Sequence, residues 1–129
     1  MSSRDTPSQL VRQGVRADGL FELVLGLAFV VGALAGLVLP PPASRPLAVG
    51  FGLLLLVVGV ALWLLAARLG RWQVLGLAWI NGLGAVVFTA WLLLFWTRFS
   101  PPGVALIVST AVGLATLATV ELAGVLLRR

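Results

Sequence analysis

The stretch "GLFELVLGLAFVVGALAGLVLPPP", Gly19–Pro42, holds an almost unbroken apolar run from Leu20 to Leu39. One carboxylate, Glu22, stands near its start, and three prolines end it. A run of this length matches the roughly 20 apolar residues an α-helix needs to cross a bilayer. It is longer than the ~7–15 residues of a secretory h-region, so it reads as a retained span rather than a cleaved leader.

Three further runs repeat the pattern: Leu47–Leu69, Val74–Trp96 and Gly103–Leu127. Backbone polar groups in lipid must be satisfied internally, which makes each run a helix. Proline has no N–H and clashes with the preceding turn, so the clusters at Pro40–Pro42, Pro46 and Pro101–Pro102 read as boundaries. The links "PPPASRP", "GRWQ" and "TRFSPP" are short, which forces sequential helices antiparallel. The expected fold is therefore an all-α membrane protein: one domain over residues 1–129, with four transmembrane helices at about 20–39, 47–69, 74–96 and 103–127 in an up-down-up-down bundle.

Composition agrees. Of the 129 residues, 60% are hydrophobic and 10% charged, against about 45–50% and about 25% in soluble domains. With no cysteine and no histidine, disulfides, thiol catalysis, Cys/His metal sites and a His-based triad are excluded. The net charge of +5 comes from nine arginines and no lysine. Those arginines flank apolar runs, so they speak for membrane orientation rather than nucleic acid. One side would hold Arg4, Arg12, Arg16, Arg68, Arg71, Arg128 and Arg129, the other only Arg45 and Arg98. By the positive-inside rule both termini are expected to be cytoplasmic, in the cell (inner) membrane. Trp63 and Trp72 fall near the inner boundary, and Trp91, Phe95, Trp96 and Phe99 near the outer one, as interfacial belts do.

Ahead of the first span, "TPSQ" sets Thr6 as an N-cap, Pro7 at the first helical position and Gln9 as its capping-box partner. Leu10, Val11 and Val15 share a face, with Arg12 and Arg16 one turn apart. The expectation is a short amphipathic N-terminal helix on the inner surface.

Glu22, Asn81 and Glu121 form the candidate intramembrane polar site. At 1.5 Å rise per residue, Glu22 falls roughly 3 Å past the apolar boundary and Asn81 roughly 10 Å past its own. Glu121, seven residues before Arg128, falls in the same leaflet. Ionisable residues inside spans usually face the bundle interior and mark pathways. The competing reading is structural: a carboxylate paired with Arg16, Arg68, Arg71 or Arg128 staples helix ends together, and Asn81 makes an ordinary interhelical hydrogen bond.

Small residues add packing seams. Glu22, Gly26, Phe29, Ala33 and Gly36 make one stripe at helical spacing, which Asp18 extends by a turn. "GALAG" at Gly32–Gly36 is a GxxxG pattern. Gly52, Gly59 and Ala66 repeat every seven residues in the second span. In the fourth, Ala105, Ser109, Thr110, Gly113, Thr116, Glu121 and Gly124 fall on one small and polar face, leaving Thr119 outside it. The seam candidates are thus Gly26, Ala33, Gly36, Gly52, Gly59 and Gly113. No P-loop or dinucleotide fingerprint occurs, and the carboxylates have no metal-ligand spacing. No catalytic residue, metal or cofactor is expected, and the chain does not read as an enzyme.

"LVRQGVRADGLFELVLGL", "LAWINGLGAV", "RFSPPG" and "ELAGVLLRR" together resemble an uncharacterised family of small bacterial four-helix integral membrane proteins. The resemblance covers nearly the whole chain and implies a four-helix bundle in the cell membrane, with no activity to carry over. The first-span Glu22 is also similar in order to the proton-exchanging glutamate of small multidrug exporters. This chain differs in its charge bias, its edge-proximal glutamate and its second acid, Glu121.

Two functional expectations follow. In one, the chain is a structural or interaction module in the lipid bilayer, a homo-oligomer or an accessory to a larger membrane protein, because it has more small-residue seams than one bundle needs. In the other, it is a proton-coupled transporter or small-ligand binder, with Glu22 and Glu121 around an inward-facing cavity floored by Asn81.

Overall fold

The computed structural model describes residues 9–37 and 39–127. They form four long helices: α1 (Gln9–Leu34), α2 (Arg45–Leu65), α3 (Arg71–Leu94) and α4 (Pro101–Leu126), with a short 3-10 turn at Trp96–Arg98 before α4. Each of the four is long and apolar enough to cross a membrane.

The first helix departs from expectation. The segment ahead of Leu20 is continuous with the span, giving one 26-residue helix. Its face of Val11 and Val15 is buried inside the bundle and packs with Ala66, Val74 and Val125. A helix already under way at Gln9 gains more by continuing straight than by turning flat, since the ends of the other helices offer its valines a dry partner. Thr6 and Pro7 lie outside the described residues.

The other end of α1 also moves. It stops at Leu34, and Gly36 (φ +89°) turns the chain. Gly36 N–H donates to Ala33 O at 3.3 Å and Leu37 N–H to Gly32 O at 2.8 Å, the paired bonds of a Schellman cap. Leu37 folds back over Gly32, its Cδ2 lying 3.1 Å from where a Gly32 side chain would begin. Gly36 is therefore a helix stop and not a seam residue: nothing lies within 4 Å of its Cβ position. "GALAG" served the positive φ that a glycine tolerates.

Prolines start helices here rather than preceding them. Pro46 and Pro101–Pro102 sit in first turns, where the missing N–H costs nothing. Ser44 and Ser100 cap those turns, accepting from Leu47 N–H and Gly103 N–H. At the head of α3, Gln73 Oε1 accepts from Gly70 N–H at 2.7 Å.

Packing runs in two antiparallel hairpins, α1 with α2 and α3 with α4, joined chiefly through α1 and α4. In the first hairpin the backbones touch. A Cβ on Gly26 would lie 2.6 Å from Gly52 O, and one on Gly59 would lie 2.7 Å from Gly19 O. Two glycine pairs, seven residues apart on each helix, thus face each other. Between the hairpins, Phe21 of α1 seats its ring against Gly113 of α4. Gly113→Ala is expected to cost about 1–3 kcal/mol by overpacking. Trimming the ring with Phe21→Leu should return most of it, and a double-mutant cycle of denaturation midpoints in detergent reads the coupling.

The polar arc expected on α4 is displaced. The buried face runs Gly103, Ile107, Thr110, Leu114, Leu117, Glu121, Gly124 and Val125, while Ala105, Ser109 and Thr116 face outward. The Thr116 and Thr119 hydroxyls donate to Val112 O and Ala115 O one turn back. Hydroxyls satisfied within their own helix have no need of the interior.

Candidate functional site

Asn81 holds the site together. It lies ten residues into α3 and is 2% exposed. Its Nδ2 donates to Asp18 Oδ2 of α1 at 2.9 Å and to Glu121 Oε2 of α4 at 3.1 Å. A side-chain amide nitrogen carries two hydrogens, so each goes to a different carboxyl on a different helix. This is a hydrogen-bonded link between α3 and α1 across the interior, beside the packing of Val74 with Val11 and Val15.

Asp18 is completely buried, Glu121 is 2% exposed, and Glu22, one turn beyond Asp18 on the same face, is 7% exposed. Asp18 Oδ1, Glu22 Oε2 and Glu121 Oε1 are buried without a hydrogen-bond partner. Asp18 and Glu121 are joined through the Asn81 amide, each accepting one of its hydrogens.

An arginine staple would draw on Arg16, Arg68, Arg71 or Arg128, of which Arg128 lies outside the described residues. Among the described residues no ion pair links them to an arginine. At 100° per residue, Arg16 points roughly opposite to Asp18. It is exposed and lies 5.7 Å over the ring of Trp63, a cation–π contact. Arg98 is similarly placed over Phe95 at the other end.

The layer is closed on both sides. Toward the arginine-rich end it abuts Val11, Val15, Ala66, Val74 and Val125. Toward the opposite end it abuts Leu25, Phe29, Leu55, Ile107 and their neighbours. That far cluster is knit by rings in sequence: Phe29–Phe51 (centroids 5.1 Å apart), Phe51–Phe88 (6.0 Å), Phe88–Trp91 (6.3 Å) and Trp91–Phe99 (5.1 Å). Trp91 Nε1–H donates to Pro41 O at 3.0 Å, pinning the loop between α1 and α2.

Glu22, Asn81 and Glu121 thus share one layer, in which Asn81 bridges Asp18 and Glu121. A groove of about 530 Å³ opens elsewhere, between α2 and α3 near the far end, lined by apolar side chains including Phe51, Phe88 and Trp91. Gly26, Gly52 and Gly59 lie in the α1–α2 contact, Gly113 in the α1–α4 contact, and Ala33 in the far apolar cluster. Two members escaped the sequence reading, Asp18 as a site residue and Gly19 as a seam residue. The signal for Asp18 was its i, i+4 spacing to Glu22. It was passed over because the apolar run begins only at Leu20.

Chemically, the arrangement concentrates acid and supplies no cation among the described residues. An ionised carboxylate in an apolar interior is so costly that such groups neutralise or find a counter-charge. Among the described residues the acids do not converge as a metal-holding group. No protein-family model, curated protein or solved structure matches the chain, so the site is read from its own geometry.

Proposed function

We propose that this chain is a proton-binding membrane protein of the proton-coupled transporter class, with Asp18, Glu22, Asn81 and Glu121 as its proton site. The observation that carries the reading is the double donation from Asn81 to two buried carboxyls that have no cationic partner among the described residues. Two buried carboxyls bridged by one amide, with the buried Glu22 one turn along α1, are groups that can each take up a proton. Charging or neutralising Asp18 changes the α1–α3 tie, which gives the proton a lever on how the two hairpins meet. We place the chain in the cell membrane with both termini cytoplasmic, on the seven-to-two arginine bias.

The interaction-module reading drew on surplus seams. The glycine pairs Gly19–Gly59 and Gly26–Gly52, and Gly113 with Phe21, meet partners within the chain itself, which weakens that motive. The exposed Leu, Val and Trp side chains are matched by lipid tails.

The test is a lipid-soluble carbodiimide, dicyclohexylcarbodiimide, applied to the purified chain in liposomes. It adds across a protonated carboxyl, the acid proton passing to nitrogen and the oxygen bonding to carbon. In a dry site the adduct rearranges to a stable N-acylurea with no group lost. Mass mapping is expected to find the adduct on Asp18, Glu22 or Glu121, falling as pH rises because the reagent needs the acid form. Asp18→Asn with Glu121→Gln should remove most of it. An unlabelled chain, or labelling indifferent to pH, would overturn the proposal.

A further inference from the structure

The carboxyl layer is sealed unequally on its two faces. On the arginine-rich side Val15 stands three residues from Asp18 along α1, and Val125 four residues from Glu121 along α4. At 1.5 Å per residue the seal starts about 5–6 Å from the acids and ends at Val11 and Val74, about 10 Å from Asp18 and Asn81, roughly two turns. On the far side Leu25, Phe29 and Ala33 carry the apolar packing to about 16 Å from Glu22. The ring sequence and the Trp91–Pro41 hydrogen bond reinforce that side.

The thin side is also built to part. Its buried residues come from α1 (Val11, Val15), the C-terminal cap of α2 (Ala66), α3 (Val74) and α4 (Val125), and none carries a polar side-chain atom. Where α1 meets α4 at this level, small residues make the contact: Gly124 against Val11 and Gly14 against Val120. Small residues let the two helices approach closely there without interdigitating large side chains. Among the described residues the charged groups around it are few. On α1 these are Arg12 and Arg16, outward-facing, with Asp18 and Glu22 inward. α3 carries Arg71 at its start and α4 only Glu121, while Arg45 begins α2 at the opposite end. Arg68 lies in the link after α2. An exposed basic rim therefore surrounds about two turns of valine and alanine, with a dry acid layer behind it.

We infer that the valine layer of Val15, Val74 and Val125 is the gate through which the carboxyl cluster exchanges with the arginine-bearing side of the membrane. This inference rests on the proton-site reading above and adds its sidedness. Opening requires α1 and α4 to separate by enough to admit a file of water. The aromatic far end stays shut, so exchange is one-sided in this conformation.

The test uses a water-soluble carbodiimide with glycine ethyl ester as the trapping amine, on liposomes whose protein orientation is scored by protease cleavage of a C-terminal tag. Val15→Ser and Val74→Ser are expected to raise trapping on Asp18 or Glu121 several-fold, only from the arginine-bearing side. Ile107→Ser, an equally buried position on the thick side, is expected to leave it unchanged. Circular dichroism melts verify folding, and Val15→Ala, which opens space without adding a hydroxyl, serves if a serine variant unfolds. Equal trapping from both sides, or an Ile107→Ser effect matching the valine variants, would overturn the gate. So would folded valine variants that trap no more than the native chain while dicyclohexylcarbodiimide still labels it, leaving the proton site standing. Loss of that lipid-soluble labelling in the native chain would remove the site itself.

Discussion

Gly26→Leu is expected to separate α1 from α2 and to cost about 3 kcal/mol or more, the upper range for forcing extra atoms into a packed interior. The reason is the identity of the atoms met. A Cβ at Gly26 lies 2.6 Å from Gly52 O and 2.9 Å from Leu56 N, both backbone. A side chain can rotate away from a clash, but a helix backbone can only move as a whole. Gly59→Leu should behave alike, because its Cβ would meet Gly19 O at 2.7 Å. Gly50, exposed on the same helix with nothing within 4 Å of its Cβ position, is the control. There Gly50→Ala should stabilise by about 0.5–1 kcal/mol through reduced backbone freedom. Denaturant titration in detergent, followed by circular dichroism, compares the three. Equal midpoints for Gly26→Leu and the native chain would show that the hairpin does not depend on backbone contact.

Asn81→Leu is the second large effect. It keeps the approximate volume but withdraws both hydrogens, leaving Asp18 Oδ2 and Glu121 Oε2 unmet beside oxygens that already lack partners. Each buried acceptor stranded in this way costs about 1–3 kcal/mol. That exceeds the average of about 0.6 kcal/mol for a neutral interhelical bond in membranes, because both acceptors here are carboxyls. The signature is in the combination. Glu121→Gln, which removes the titratable group while keeping a polar partner, is expected to hold or raise stability while lowering carbodiimide labelling. Combined with Asn81→Leu it should recover part of the loss. A staple pairing acid with arginine predicts the reverse, since Glu121→Gln would then strand a cation. Melting the four proteins of the cycle in detergent separates the two accounts.

Particular residues show what was legible before the fold was known. The apolar runs marked four helices because lipid-compatible backbone leaves no alternative, and the run lengths sufficed. Their ends were less legible. Pro46 and Pro101 read as barriers but begin helices, since a proline's cost vanishes in the first turn. Gly36 read as packing but ends α1, since a single glycine serves a close contact and a positive φ equally well. Glu22, Asn81 and Glu121 stood out as polar residues in apolar runs. Asp18 sat among polar neighbours and did not, although it is the most completely buried of the acids.

The sequence by itself determined that the chain makes four helices able to cross a membrane, that their successive directions alternate, and that its few interior polar residues gather in one half. These follow from local quantities: apolar run length, link length and the sign of flanking charge. Which face each helix buries, and against whom, was decided only by tertiary structure. Asp18 and Asn81 are 63 residues apart and meet because Gly19, Gly26, Gly52 and Gly59 draw α1 and α2 to backbone contact while Phe21 keys α1 to α4. Whether a buried acid faces an arginine or another acid depends on helix rotation and on which surfaces interlock. A rotation of half a turn would have given Asp18 to the arginines. The packed glycines turned it toward Asn81 and Glu121 instead.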